Sequence, residues 1–264
     1  MSTTTPTDTR QADAPIVSAR GLTKAYDAGD HPQCVLRGLD VDIHRSDFTV
    51  IMGPSGSGKS TLLHALAGLD RPSGGTVTFD GKDITAMGDD DLAVFRRHAC
   101  GFVFQQHQLL DGMSLMDNAI VAGALTMRSK RDIIAKARTL FTQVGLDERT
   151  WQRAATQVSG GEAQRASVVR ALVNDPALVF ADEPTGALNS HHAQAVLDVF
   201  TRLHHRGQGI VMVTHDRHSA LRGSRILYLR DGAIVDECRP GTYTADGGQG
   251  RERALSDFLE RMGW

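Results

Sequence analysis

Hydrophobic positions along the chain show three textures. Phe48-Thr49-Val50-Ile51-Met52, Ala177-Leu178-Val179-Phe180-Ala181 and Ile210-Val211-Met212-Val213 are short, nearly unbroken apolar runs. Such runs predict central parallel strands covered on both faces. The second texture alternates. Leu39, Val41 and Ile43 are separated by Asp40 and Asp42, which predicts a strand with one wet face. Ile16-Val17-Ser18-Ala19 predicts another, and Tyr26 and a Gly29-Asp30 turn lie between the two, so a small antiparallel sheet is expected here. Thr76-Val77-Thr78-Phe79, Gly101-Phe102-Val103-Phe104 and a hairpin of Ile226-Leu227-Tyr228-Leu229 with Ile234-Val235 complete the strands. The third texture is helical. Leu62, Leu63, Leu66 and Leu69 share a helical face, a polar helix is expected over 89–97, and from Gln105 to about Leu172 nothing strand-like occurs. Ala254, Leu255, Phe258 and Leu259 mark one side of a short helix over 251–262. Together these predict an α/β core interrupted by a helical subdomain.

Composition adds exclusions. A chain of 264 residues with 41% hydrophobic and 23% charged residues has ample material for a core. The formal net charge of -2 gives no pull toward nucleic acid or an anionic membrane surface. No apolar run approaches the roughly 18 residues that span a bilayer. Residues 1–14 are polar and turn-rich and are expected to be a disordered tail without signal-peptide order. Cys34, Cys100 and Cys238 are scattered and lack metal-ligand spacing, so they predict unpaired thiols in a reducing compartment.

The chemistry begins after Met52, with Gly53-Pro54-Ser55-Gly56-Ser57-Gly58-Lys59-Ser60-Thr61 leading into the Leu62 helix. Strand, G-x-x-x-x-G-K-[ST] and helix in that order predict a phosphate-binding loop. Gly56 and Gly58 let successive N–H groups curl inward, and the helix aims its positive end at the same place. Lys59 is then expected to reach the β- and γ-phosphates of ATP and Ser60 to hold Mg²⁺.

Asp182 and Glu183 follow an apolar strand, where α/β sheets bind ligands. The pair predicts a Mg²⁺ carboxylate at Asp182 and a general base at Glu183. His215 ends the 210–213 strand in the same manner and can donate to a γ-phosphate. Gln105 ends the 101–104 strand, with an amide suited to Mg²⁺ or to the attacking water. Tyr26 is placed either to stack on adenine or simply to pack. Ser159, Gly160, Gly161 and Glu162 open a further helix. Their S-x-x-E spacing makes a capping box, and the glycines leave the terminus bare enough to approach an anion. Lys59 already has its own helix for its phosphate, so this second terminus implies completion by a second copy of the chain.

Taken as an ordered set, Tyr26, the Lys59 loop, Gln105, Val158-Ser159-Gly160-Gly161-Glu162-Ala163-Gln164-Arg165, Asp182-Glu183-Pro184-Thr185 and His215 resemble an ATP-binding-cassette (ABC) transporter ATPase over about 15–237. The resemblance implies a core over 15–104 and 173–237, a helical subdomain over 105–172 and an extension over 238–264. It implies a head-to-tail homodimer, with each ATP between Lys59 of one copy and Ser159, Gly160 and Gly161 of the other. It also implies adenine, coupling and γ-phosphate roles for Tyr26, Gln105 and His215. Gly101-Phe102-Val103-Phe104-Gln105-Gln106 and Ala181-Asp182-Glu183-Pro184-Thr185-Gly186-Ala187-Leu188 resemble the subgroup of lipoprotein-release, macrolide-efflux, bacitracin/lantibiotic-resistance and cell-division cassettes. That implies a separate membrane permease as partner and a place on the cytoplasmic face of the membrane. It also implies export or extraction of a peptide, drug or lipophilic substrate. Leu109, Leu110, Met113, Leu115 and Met116 are expected to form the permease groove or the subdomain's own core. Three departures stand out: Asn189 where the family has Asp, Val158 where Leu is usual, and Leu110-Asp111 where Leu-Pro is frequent. A regulatory cassette that signals to a cell-wall enzyme without transport remains the alternative. A DNA-repair or chromosome ATPase would need long coiled coils or zinc insertions, which this chain lacks.

Overall fold

The computed structural model describes residues 14–28, 31–244 and 248–264. Most of the expected tail, and the Gly29-Asp30 turn, lie outside the described residues. Among the described residues the strands are β1 (Val17–Ala28), β2 (His31–Ile43), β3 (Phe48–Met52), β4 (Gly74–Phe79), β5 (Lys82–Asp83), β6 (Cys100–Val103), β7 (Leu178–Asp182), β8 (Gly209–Val213), β9 (Arg225–Arg230) and β10 (Ala233–Cys238). The helices are α1 (Lys59–Leu66), α2 (Asp89–Ala99), α3 (Leu115–Gly123), α4 (Lys130–Gln143), α5 (Glu148–Trp151), α6 (Gly160–Leu172), α7 (Ser190–His205), α8 (Arg217–Ala220) and α9 (Gly248–Arg261).

A six-stranded sheet runs β10-β9-β3-β8-β7-β6, and a four-stranded sheet runs β2-β1-β4-β5. β3, β8, β7, β6 and β9 are parallel, and β10 closes the sheet antiparallel to β9. The period of two sorts each central strand onto two cores. Phe48, Val50 and Met52 face the side that carries α3, α4, α6, α7 and α9. Ile51, Phe180, Val211 and Val213 face α1 and the small sheet. Burial on both faces is why these strands read as unbroken apolar runs.

β1 runs far beyond the expected end at Ala19. Its pairing with β2 shifts register between Ala19 and Leu22, again at Thr23 and once more before Ala25. Gly21 sits at φ +57 in the first shift, and its N–H donates to Asp40 Oδ1 at 2.6 Å. Bulges of this kind re-aim side chains, so the alternation that marks a strand is broken while the pairing continues. Two expected faces also change. Leu69 lies past the end of α1 and is exposed, and Ala254 is exposed while Leu255, Phe258 and Leu259 are buried. α9 is fastened to the core by buried Arg251, whose guanidinium donates to the Leu221, Gly223 and Gly241 carbonyls.

Candidate nucleotide site

β3 delivers the glycine-rich loop at the carboxyl edge of the sheet, and Gly58 caps α1 in the left-handed region at φ +99. No side chain caps that helix, and its first turn holds no acidic residue, so its N–H groups stay free for an anion. Lys59 is only 8% exposed. Its ammonium donates to the Gly53 carbonyl at 2.9 Å and the Pro54 carbonyl at 2.8 Å. Burial lowers its pKa, while Glu183 and Asp182 pull the other way. The Ser57 hydroxyl is buried with no hydrogen-bond partner among the described residues. A loop with an orphaned hydroxyl and a buried cation held by its own carbonyls fits a triphosphate.

β7 and β8 are adjacent, with Asp182 level with Val213, so their ends bring the acidic pair and His215 together. The Ser60 hydroxyl donates to Asp182 Oδ1 at 2.8 Å. A hydroxyl and a carboxylate oxygen side by side form a hard donor pair that suits Mg²⁺. Glu183 leaves the strand at φ +47 while its N–H still donates to the Val213 carbonyl at 3.0 Å. A non-glycine residue there carries strain of about 1–3 kcal/mol, a feature that clusters at functional sites. Its carboxylate Oε1 lies 2.8 Å from His215 Nδ1. Glu183 lines a cavity of about 400 Å³ over the loop, shared with Gln33, Ser55, Gly56, Lys59 and Thr61. It also lines a second of about 700 Å³ that includes His215, His191 and His218.

Other expected site residues stand further out. The exposed Gln105 points its amide at Gly186, where a Cβ would sit 2.9 Å from Nε2. Tyr26 is absent from the cavity lining; its hydroxyl donates to Asp70 Oδ2 at 2.7 Å, and the Lys24 ammonium lies 4.8 Å from its ring centroid. Its phenol pKa is raised by burial and by Asp70, against a lowering bond from Thr61, which places it beside the start of α1.

The Ser159 turn is built as its spacing predicts. Ser159 Oγ accepts from Glu162 N at 3.3 Å, and Glu162 Oε2 accepts from Ser159 N at 2.8 Å. Ser159 and Gly160 are exposed, whereas Gly161 lies so close to α7 that a Cβ would stand 2.7 Å from His192 Cγ. None of the three lines the cavity over Lys59. Asn189, the departure from Asp, caps α7 by accepting from His192 N at 3.0 Å. Of the five residues expected to form the permease groove, Leu109 in the loop before α3 and Leu115 and Met116 at its start are core; Leu110 (49%) and Met113 (39%) are exposed.

His64 escaped the sequence reading. Its Nε2 lies 3.4 Å from Asp182 Oδ2. Its position four residues after Ser60 on α1 was the available signal, since i and i+4 share a helix face.

The family model described as ABC transporter matches residues 36–186. A macrolide export ATP-binding/permease protein of Paracoccus denitrificans is 42% identical over 240 residues, covering 90% of this chain and 35% of that protein. A pyoverdine export ATP-binding/permease protein of Pseudomonas syringae pv. syringae is 42% identical over 228 residues, covering 84% of this chain and 34% of that protein. The chain thus spans about a third of the length of the curated relatives it matches. An ATP-binding cassette solved as a dimer in a post-hydrolysis state with ADP and Pi matches with a TM-score of 0.79 at 35% identity, covering 84% of this chain and 98% of that one.

Proposed function

The chain belongs to the ABC transporter family and is an ATP-hydrolysing cassette of it; on that premise we propose that two copies close head-to-tail on two ATP and thereby drive a membrane permease. The observation that carries this reading is the exposed Ser159 turn, which the chain's own Lys59 site leaves unused. The solved dimer of a related cassette supports it. Each ATP then lies between the Lys59 loop of one copy and Ser159, Gly160 and Gly161 of the other.

In this mechanism Glu183 accepts a proton as a water oxygen bonds to the γ-phosphorus and the bond to the ADP oxygen breaks. Its partner His215 holds the carboxylate through Nδ1 and leaves Nε2 for the γ-phosphate. Lys59 exchanges the Gly53 and Pro54 carbonyls for phosphate oxygens, where its charge offsets the charge developing in the transition state. Ser60, Asp182 and Gln105 are the residues that would hold Mg²⁺, whose chemistry is to neutralise phosphate oxygens. Tyr26 offers a ring face to adenine, with Lys24 on it and Asp70 fixing its hydroxyl.

The same reading makes 15–104 with 173–237 the core, 105–172 the moving helical subdomain and 238–264 an extension. No helix among the described residues is long and apolar enough to cross a membrane, so attachment to the cytoplasmic face would come through the permease. A cavity of about 630 Å³ lined by Leu69, Phe102, Phe104, Gln108, Leu125 and Arg170, which takes in none of the five residues expected for the groove, is where a permease segment would seat. The relatives named for macrolide and pyoverdine export favour export of a drug, peptide or lipophilic substrate over the regulatory alternative. The test is Glu183→Gln. Loss of the base lowers turnover about 10²–10⁴-fold, and ATP should trap a dimer visible by size-exclusion chromatography. Wild-type hydrolysis by that variant sinks the role of Glu183, and a monomer at saturating ATP sinks the head-to-tail site.

A further inference from the structure

Gln164 is the fifth residue of α6, the helix that Ser159 caps, and is only 2% exposed. A buried amide must find partners. Its Nε2 donates to the Phe104 carbonyl at 2.8 Å, the peptide immediately before Gln105. Two further ties fix the stretch that follows. Arg170, also on α6, donates to the Gln108 carbonyl. Asn118 on α3 accepts from Leu110 N at 2.7 Å and donates back to the Leu110 carbonyl at 3.2 Å.

α6 lies antiparallel along β6, close enough that a Cβ on Gly101 would stand 2.6 Å from the Ala171 carbonyl oxygen. Positions 164 to 171 rise about 10.5 Å as helix. Positions 101 to 104 rise about 10 Å as strand. The two rises match, so the helix is seated at both ends of the strand and cannot slide without losing a contact.

We propose that Gln164 is a positioning residue that carries the occupancy of a chain's own ATP site to the glycine pair it offers its partner. This rests on the reading above, in which Gln105 is one of the residues that would hold the Mg²⁺ of the chain's own bound ATP and α6 closes over the partner's. The route is short and stiff. The carbonyl that Gln164 holds belongs to the same planar peptide unit as the Gln105 nitrogen and Cα, so a shift of the Gln105 backbone that draws its amide away from Gly186 carries that carbonyl with it. Either the amide follows, moving α6 and Ser159, or the bond is lost. An aliphatic side chain of equal size would fill the space and transmit nothing.

The test uses the full chain. Gln164→Met keeps the volume and removes the donor, while Gln164→Glu sets an acceptor against the carbonyl. ATP-driven dimerisation is followed by light scattering in the Glu183→Gln background. The Hill coefficient for ATP hydrolysis, the ADP affinity and the thermal midpoint are measured with Glu183 intact. In Gln164→Met the Hill coefficient should fall from near two toward one, and half-dimerisation should need about tenfold more ATP. ADP affinity and the thermal midpoint should stay at parental values, and Gln164→Glu should be worse than Gln164→Met. Dimerisation at the parent's ATP concentration with the parent's Hill coefficient overturns the proposal. If Gln164→Met lowers the thermal midpoint, Arg170→Met cuts the second tie on the same loop, and the same shift or its absence decides. A parent that stays monomeric at saturating ATP overturns the head-to-tail reading itself, and the role of the tie with it.

Discussion

Two helices in this chain begin on glycine-rich turns, and they begin in opposite ways. α1 follows a left-handed Gly58, has no side-chain cap and holds no acid in its first turn. α6 follows Ser159, whose hydroxyl and N–H are both engaged by Glu162, so a carboxylate already sits at its positive end. A bare terminus beside a buried lysine has room for a full anionic charge. A terminus that already carries its own carboxylate does not, and what remains to offer are the amides of Gly160 and Gly161. On the proposed head-to-tail reading the difference divides the work: phosphate would be bound at α1 and only touched at α6, whose turn would serve as a lid on the partner's site.

Breaking the bare half should have the largest effect. Lys59→Met removes the cation while keeping most of the stem's volume. Loss of one donor to the transition-state oxygens lowers turnover about 10²–10³-fold, measured as phosphate release at saturating ATP, and ATP affinity should fall with it. If hydrolysis survives at the parental rate, α1 is not where the γ-phosphate lies.

Crowding the lid should cost less and spare the other half. In Gly161→Ala the new methyl would meet His192 Cγ at 2.7 Å, so either the imidazole swings away or the turn shifts outward. A misplaced lid should lower turnover about tenfold, equivalent to about 1.4 kcal/mol of barrier. ADP affinity, measured by calorimetry on the monomer, should stay within twofold of the parent. A large loss of ADP affinity would place Gly161 in its own chain's site and end the distinction between the halves.

Much of this was legible because the relevant signals are local. The phosphate loop, the capping box at Ser159 and Glu162 and the doubly covered β3, β7 and β8 each depend on residues within a few positions of one another. What stayed hidden depends on contacts across the chain. Gln164 looks like any polar helix residue until Phe104 is placed beside it, sixty residues away in sequence. Arg251 reads as surface, yet it is buried on the carbonyls of Leu221 and Gly223. Leu109 and Leu110 are neighbours of the same type, and only the seating of α3 decides that the first is core and the second exposed. β1 was lost beyond Ala19 because bulges erase alternation without ending the pairing.

The smallest effect probes what distinguishes the lid from the bare terminus, the charge on Glu162. Its carboxyl pKa lies below the ordinary value because the Ser159 N–H donates to it; burial opposes this, and the Ser159 hydroxyl, Arg165 and Arg153 add to the lowering. A folded pKa below the unfolded one means the charged form stabilises the fold. That contribution is fully present above the unfolded glutamate value of about 4.3. It is lost as pH falls from there through the lower folded value. Glu162→Gln keeps an oxygen for the Ser159 N–H but drops the charge, so it isolates what the charge contributes. At pH 7 and low salt the parent should exceed the variant by about 0.3–1 kcal/mol in chemical denaturation. The gap should close below pH 4, and it should shrink in 1 M salt, where charges are screened within about 3 Å. A gap that is flat from pH 7 to pH 3 would mean the box works by its hydrogen bonds alone. The positive end of α6 would then be as open to a partner's phosphate as that of α1.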